Sequence, residues 1–247
     1  MRSPYQATAA PRRTILAVAI LALALGGCAG TSASATPAPT AAVSATPLAT
    51  PAPTPSQDTA VAPPNGPDFS PISFKGKGKR VVKFKIPLDS AALAEATHAG
   101  SGTFSITSVG ADGAHNDVLV NTIGKYTGTV LFDDGIDQHS VAFQVQASGS
   151  WTIVIKPIAN ARKWNGSGTL KGTGDDVVQI SPASSGPATL GLTFKGKDDF
   201  AITSYSPDGG ELLANETGNF TGKVVLPDGS FLLSVSANGE TWSAKAG

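Results

Sequence analysis

From Val81 onward, apolar and polar residues alternate in short runs, the spacing that sends successive side chains to opposite faces of a strand. Val141, Phe143 and Val145 form one such run, and Phe231, Leu233 and Val235 another. In the first half of the chain the pattern predicts strands near Val81–Ile86, Ala92–His98, Thr103–Val109, Asp117–Asn121, Gly128–Phe132, Ser140–Gln146 and Trp151–Lys156. Asp-Gly, Ser-Gly and Asn-Gly pairs lie between the runs and supply the positive φ of tight hairpins. One stretch, Ala91–Thr97, favours a helix when read alone.

An internal repeat removes that ambiguity. Lys75-Gly76-Lys77-Gly78 and Val81-Val82 recur as Lys171-Gly172-Thr173-Gly174 and Val177-Val178, 96 residues later. Over Lys75–Gly113 the ungapped match is 14 identities in 39. After a two-residue deletion, Leu119–Gly128 matches Leu213–Gly222, and Trp151 pairs with Trp242. So long and ordered a match is a duplication, and a duplicated fold holds one element type at each position. The partner of Ala91–Thr97 lies within Pro187–Phe194, which alternates like a strand, so both are strands and His98 takes the slot of Phe194 as a packing residue. Two modules follow, at 68–160 and 161–247.

Composition agrees with this architecture. Apolar residues make up 40% and charged residues 15%, with 28 Gly and 18 Pro, which suits short strands joined by turns rather than a helical bundle. The expected fold class is all-β: two tandem antiparallel β-sandwiches, immunoglobulin-like or jelly-roll-like. The paired tryptophans read as core anchors, with sugar stacking as the sharper alternative. A formal net charge of zero argues against a nucleic-acid partner. The single cysteine excludes an internal disulfide, a Cys-based zinc site and a redox pair.

The first 67 residues carry a different message. Arg2, Arg12 and Arg13 precede an apolar run, Ile15–Leu25, that would rise only about 16 Å as a helix, too short for a stable span. It ends in Leu25-Gly26-Gly27-Cys28, which resembles the lipobox of bacterial lipoproteins. That resemblance implies cleavage after residue 27, acylation (palmitate-type chains) of Cys28, and a membrane-anchored protein on the extracytoplasmic face. A plain secretory signal is the alternative. Residues 28–67 are almost wholly Ala, Thr, Pro and Ser, the composition of a disordered, extended tether. Fully extended at about 3.1 Å per residue, it would reach on the order of 100 Å.

The search for chemistry yields little. Neither a nucleophile elbow nor a zinc-hydrolase, phosphate-loop or catalytic-cysteine motif occurs, so no catalytic residue, cofactor or metal is assigned and the chain reads as a non-enzyme. His115 and His139, with Asp112, Asp117, Asp133, Asp134 and Asp137, could converge on Ca²⁺, but Asp is also a common turn residue. The sequons at Asn165, Asn215 and Asn219 read as turn residues.

One feature stands above background. Lys75, Lys77, Lys79, Arg80, Lys83 and Lys85 fall within eleven positions, where the second copy has Lys171, Thr173, Asp175, Asp176, Gln179 and Ser181. These cations suit an anionic wall polymer, a lipid headgroup or an envelope protein. Alternatively they keep a sheet edge from pairing with another chain, or pair with Asp175 and Asp176 across the modules. A second candidate is a glycan site on the loop aromatics Tyr126, Trp164, Tyr205 and Phe220. Beyond the lipobox, Leu119–Val130 and Ser148–Ile153 resemble a β-sandwich module recurring in actinobacterial secreted proteins and lipoproteins. This resemblance implies fold and location only: a cell-surface protein that binds or scaffolds.

Overall fold

The computed structural model describes residues 68–87, 91–135 and 138–247; the signal-peptide, lipobox and linker readings lie outside them. The first module has eight strands: β1 (Ile72–Lys77), β2 (Arg80–Lys83), β3 (Ala92–His98), β4 (Thr103–Gly110), β5 (His115–Ile123), β6 (Tyr126–Phe132), β7 (Ser140–Ala147) and β8 (Ser150–Pro157). A 3-10 turn at Ile158–Asn160 leads to β9 (Arg162–Trp164). The second module then repeats the set as β10 (Thr169–Thr173), β11 (Asp176–Ile180), β12 (Ala188–Lys195), β13 (Asp199–Ser206), β14 (Gly209–Thr217), β15 (Phe220–Leu226), β16 (Leu232–Ser236) and β17 (Thr241–Ala246).

Sheet order decides between the two sandwich types. Module 1 forms sheets β1-β8-β3-β6 and β2-β7-β4-β5; module 2 forms β10-β17-β12-β15 and β14-β13-β16-β11-β9. Within each set of eight, first pairs with last, second with seventh, third with sixth and fourth with fifth. That is an antiparallel ribbon rolled into two facing sheets, the jelly roll. The predicted strands fall in place, but β1 was missed because Gly76 and Gly78 break its pattern, and β9 because three residues carry no period. β9 has no equivalent in module 1 among the described residues. It runs parallel to β11, with Val178 opposite Arg162 and Ile180 opposite Trp164.

Each module has its own core. Phe104, Ile106, Phe132, Phe143, Trp151, Ile153 and Ile155 are fully buried in the first, as are Phe194, Phe200, Ile202 and Leu233 in the second. The repeated Lys-Gly-x-Gly motif exists for the tryptophans. A side chain on Gly76 would come within 2.3 Å of the Trp151 ring, and one on Gly172 within 2.2 Å of the Trp242 ring. Two residues on, Gly78 (φ 68°) and Gly174 (φ 71°) make the turn into the opposite sheet. Their carbonyls accept the indole N–H groups of Trp151 at 3.0 Å and Trp242 at 2.9 Å. Both rings are buried, as core anchors should be.

The slot shared by His98 and Phe194 keeps its geometry across the copies. His98 stacks on Phe104 at 4.7 Å and 7°, and Phe194 on Phe200 at 4.8 Å and 11°. The imidazole also satisfies its polar atoms: Nδ1 lies 2.6 Å from the Gly124 carbonyl oxygen, and Nε2 accepts Gly149 N–H at 3.2 Å. It is 3% exposed, a buried packing residue. The same β-bulge also recurs, with Leu119 and Leu213 as the extra residues of β5 and β14.

A third apolar cluster joins the modules. Leu93 and Leu131 on the outer side of β3 and β6 pack with Val177, Phe231 and Leu232 of module 2 and with Ile158 and Ala161 of the connection. Both modules belong to one compact unit.

Candidate functional site

The six cations of module 1 lie on its two edge strands, on the turn between them and, for Lys85, just past the end of β2. β1 ends one sheet and β2 the other, each bonded to a single neighbour. Alternation turns Phe74 inward from β1, and Val82, then Phe84 and Ile86 beyond it, inward from β2. Lys75 and Lys77 therefore leave the outer side of the first sheet, and Lys83 and Lys85 the outer side of the second. Lys79 sits at the turn and Arg80 opens β2. All six are exposed, and neither ion pair among the described residues uses any of them. The group is a basic rim wrapped around one edge of the sandwich.

Asp175 and Asp176 do not meet these lysines. Asp175 Oδ2 accepts the Tyr126 hydroxyl at 2.7 Å across the module boundary, while Oδ1 accepts the Ala237 and Asn238 N–H groups at 2.8 and 3.0 Å. Its carbonyl accepts Thr129 N–H at 3.0 Å. Asp176 pairs with Arg162 of β9 at 2.6 Å; burial nonetheless holds its carboxyl above the ordinary range, the guanidinium offsetting only part of the shift. A second bond, Tyr205 hydroxyl to Asp134 at 2.6 Å, also crosses the boundary. Burial first, then the adjacent carboxylate, raises the pKa of both phenols above its ordinary value.

The four aromatics proposed for sugar stacking lie on strands, not loops, and in three different clusters. Tyr126 belongs to the first core, Trp164 and Phe220 to the second, and Tyr205 to the joint. Tyr126 and Trp164 are buried, and Trp164 spends its indole N–H on the Ser167 carbonyl at 2.8 Å. They form no common groove, because each ring faces the apolar layer its strand was built to fill.

Of the His and Asp residues read as a Ca²⁺ set, Asp137 lies outside the described residues, His139 Nδ1 is buried without a hydrogen-bond partner, and the others make separate local contacts. Asp112 accepts Ala114 N–H, Asp117 accepts Val118 N–H, and Asp133 accepts both the N–H and hydroxyl of Ser140. His115 bonds Gln144 at 3.1 Å. Among the described residues no three such side chains converge on one point. Asn165 closes a turn onto Ser167, and Asn219 lies in the turn before β15, whereas Asn215 lies inside β14 and is not a turn residue.

Two features escaped the sequence. A crevice of about 510 Å³ opens between the modules, lined in part by Asn121, Tyr126, Asp175, Asp198, Asp199 and Asn238. Asp198 there accepts the Asn238 amide, and Asp199 the Thr217 hydroxyl. The other is a set of lysines in module 2, Lys171, Lys195, Lys223 and Lys245. They stand 22 to 28 residues apart, so no sequence run reveals them. Strand parity was the one signal available, since each occupies an outward position.

No family model matches the chain, and no curated protein does. Among solved structures, cAMP bound PfPKA-R is similar at 10% identity over 69% of this chain and 70% of that one, with a TM-score of 0.17. A deletion mutant of Bacillus subtilis oxalate decarboxylase is similar at 9% identity over 70% and 68%, also at 0.17. Likenesses this distant carry no argument, and the sheet order stands by itself.

Proposed function

We propose that this is a lipid-anchored, extracytoplasmic envelope protein without catalytic activity, which binds an anionic envelope surface through the rim of module 1. The lipobox at Leu25–Cys28 supports the anchor, and the Ala/Thr/Pro/Ser segment supports a tether that holds the modules away from the membrane. The observation that carries the binding role is the rim itself. Six exposed cations line two adjoining sheet edges, none of them in an ion pair among the described residues. Edge lysines also deter strand pairing, and one rim serves both ends. Exposed charges concentrated along one edge attract a polyanion through long-range field, so binding weakens as salt shortens the screening length.

The test is retention of the full chain in detergent on isolated wall fragments, with Lys79, Arg80 and Lys83 reversed together to Glu. At low salt the variant should lose about tenfold in retention, and high salt should abolish the difference. Unchanged, salt-independent retention would overturn the reading.

A further inference from the structure

The outer side of the sheet β10-β17-β12-β15 is a polar face interrupted only by Val225. Register places Lys171, Ser243, Thr193 and Thr221 in one row across the four strands. Thr169, Lys245, Gly191 and Lys223 form the row on one side, and Thr173, Thr241 and Lys195 the row on the other. All four lysines are exposed. With strands about 4.8 Å apart and a rise of about 3.4 Å per residue, their α-carbons span a patch roughly 14 Å on a side. No carboxylate occupies an outward position on these strands. Toward one end of the face, on β10, β17 and β12, lies a depression of about 460 Å³ lined by Lys171, Thr173, Thr193, Lys195, Thr241 and Ser243 together with Gly172 and the ring of Trp242.

The repeat shows that this face is not inherited whole. Lys195, Lys223 and Lys245 stand where module 1 has Ala99, Thr129 and Val154, and Gly191 stands where module 1 has Glu95. In module 1 part of that face is covered: Thr129 donates to Asp175, and Leu93 and Leu131 pack on module 2. In module 2 the matching Val225 is 61% exposed. Three lysines therefore appear and the carboxylate disappears in module 2, while Lys77 and Lys156 of module 1 give way to Thr173 and Gly247.

We infer that this face of module 2 binds a linear anionic glycan, its lysines meeting the acidic groups and its Ser and Thr hydroxyls the sugar hydroxyls. The chemistry of the face selects that partner. A membrane-inserting surface carries Trp, Phe or Leu, single-stranded nucleic acid needs stacking rings, and a protein interface has an apolar, aromatic centre; the outward positions here hold one Val and no ring. The site is separate from the rim of module 1, so it gives the chain a second contact with the envelope and an avidity gain when both engage.

The experiment is retention of the full chain in detergent on immobilised polygalacturonate, with neutral dextran and immobilised glycerol phosphate, the anionic headgroup chemistry of a lipid, alongside. K195E/K223E/K245E should lose about tenfold or more on polygalacturonate, and K195Q/K223Q/K245Q a smaller amount. Lys79, Arg80 and Lys83 reversed to Glu should change it less than twofold. No capture by polygalacturonate, capture untouched by the module 2 variants, or capture by glycerol phosphate alone would each overturn the inference. Loss in the module 1 variant only would overturn it too, while leaving the rim intact as a site. Circular dichroism of each variant separates a binding loss from unfolding.

Discussion

β2 and β11 occupy the same place in the two modules and live in opposite surroundings. Arg80-Val81-Val82-Lys83 is an edge strand, bonded only to β7, with Val81 60% exposed. Asp176-Val177-Val178-Gln179 lies between β16 and β9 with its outer side under module 1, and Val177 is 1% exposed. Both keep an inward valine, because both roof a core. The residues around it differ because one strand has a free edge and a wet face and the other has neither. A change of charge sign between repeats thus records what covers each copy.

The largest test of this contrast is the shared outward valine. Val177→Asp should cost about 3 kcal/mol or more by putting a carboxylate into the apolar joint, while Val81→Asp should stay within about 0.5 kcal/mol. Denaturant unfolding of the two variants measures both, and equal costs would mean that the joint does not hold in solution. Next comes the residue ahead of each strand. Asp175→Ala leaves the Tyr126 hydroxyl and the Ala237 and Asn238 N–H groups without their acceptor, and should cost about 2 kcal/mol, whereas Lys79→Ala at the matching position should cost almost nothing.

The smallest effect is in alkali. Tyr126 ionises above its ordinary pKa when folded, so the unfolded chain releases that proton first. Its contribution is complete below about pH 10 and is lost as pH rises further, by up to about 1.4 kcal/mol per pH unit. Tyr126→Phe should make the stability profile above pH 10 shallower by that slope. Identical slopes in the variant and the parent would show that the phenol is not held at the boundary.

Much of the fold was legible because duplication let one copy correct the other. Ala91–Thr97 reads as a helix by propensity, and only Pro187–Phe194 reveals the strand. The His98–Phe194 equivalence predicted packing, and the structure returns the same stacked pair in both copies. The Lys-Gly-x-Gly motif and the tryptophans were both visible, but their link was not: Gly76 and Trp151 meet only because β1 pairs with β8 across 75 residues. The basic rim was visible as a run, since its members are neighbours in the chain. Its shape was not, because side-chain direction depends on the turn at Gly78 that carries the chain from one sheet to the other.

The sequence alone determined the all-β class, the two modules, the strand positions and the place of the buried tryptophans. These rest on local alternation, turn chemistry and the repeat, all written in consecutive residues. Tertiary structure decided the jelly-roll order, the covering of β11 by β9, the Tyr126–Asp175 contact and the gathering of four distant lysines on one sheet face. Each of these depends on which strands lie side by side, and strand pairing is set by the closing of two packed sheets rather than by any one segment.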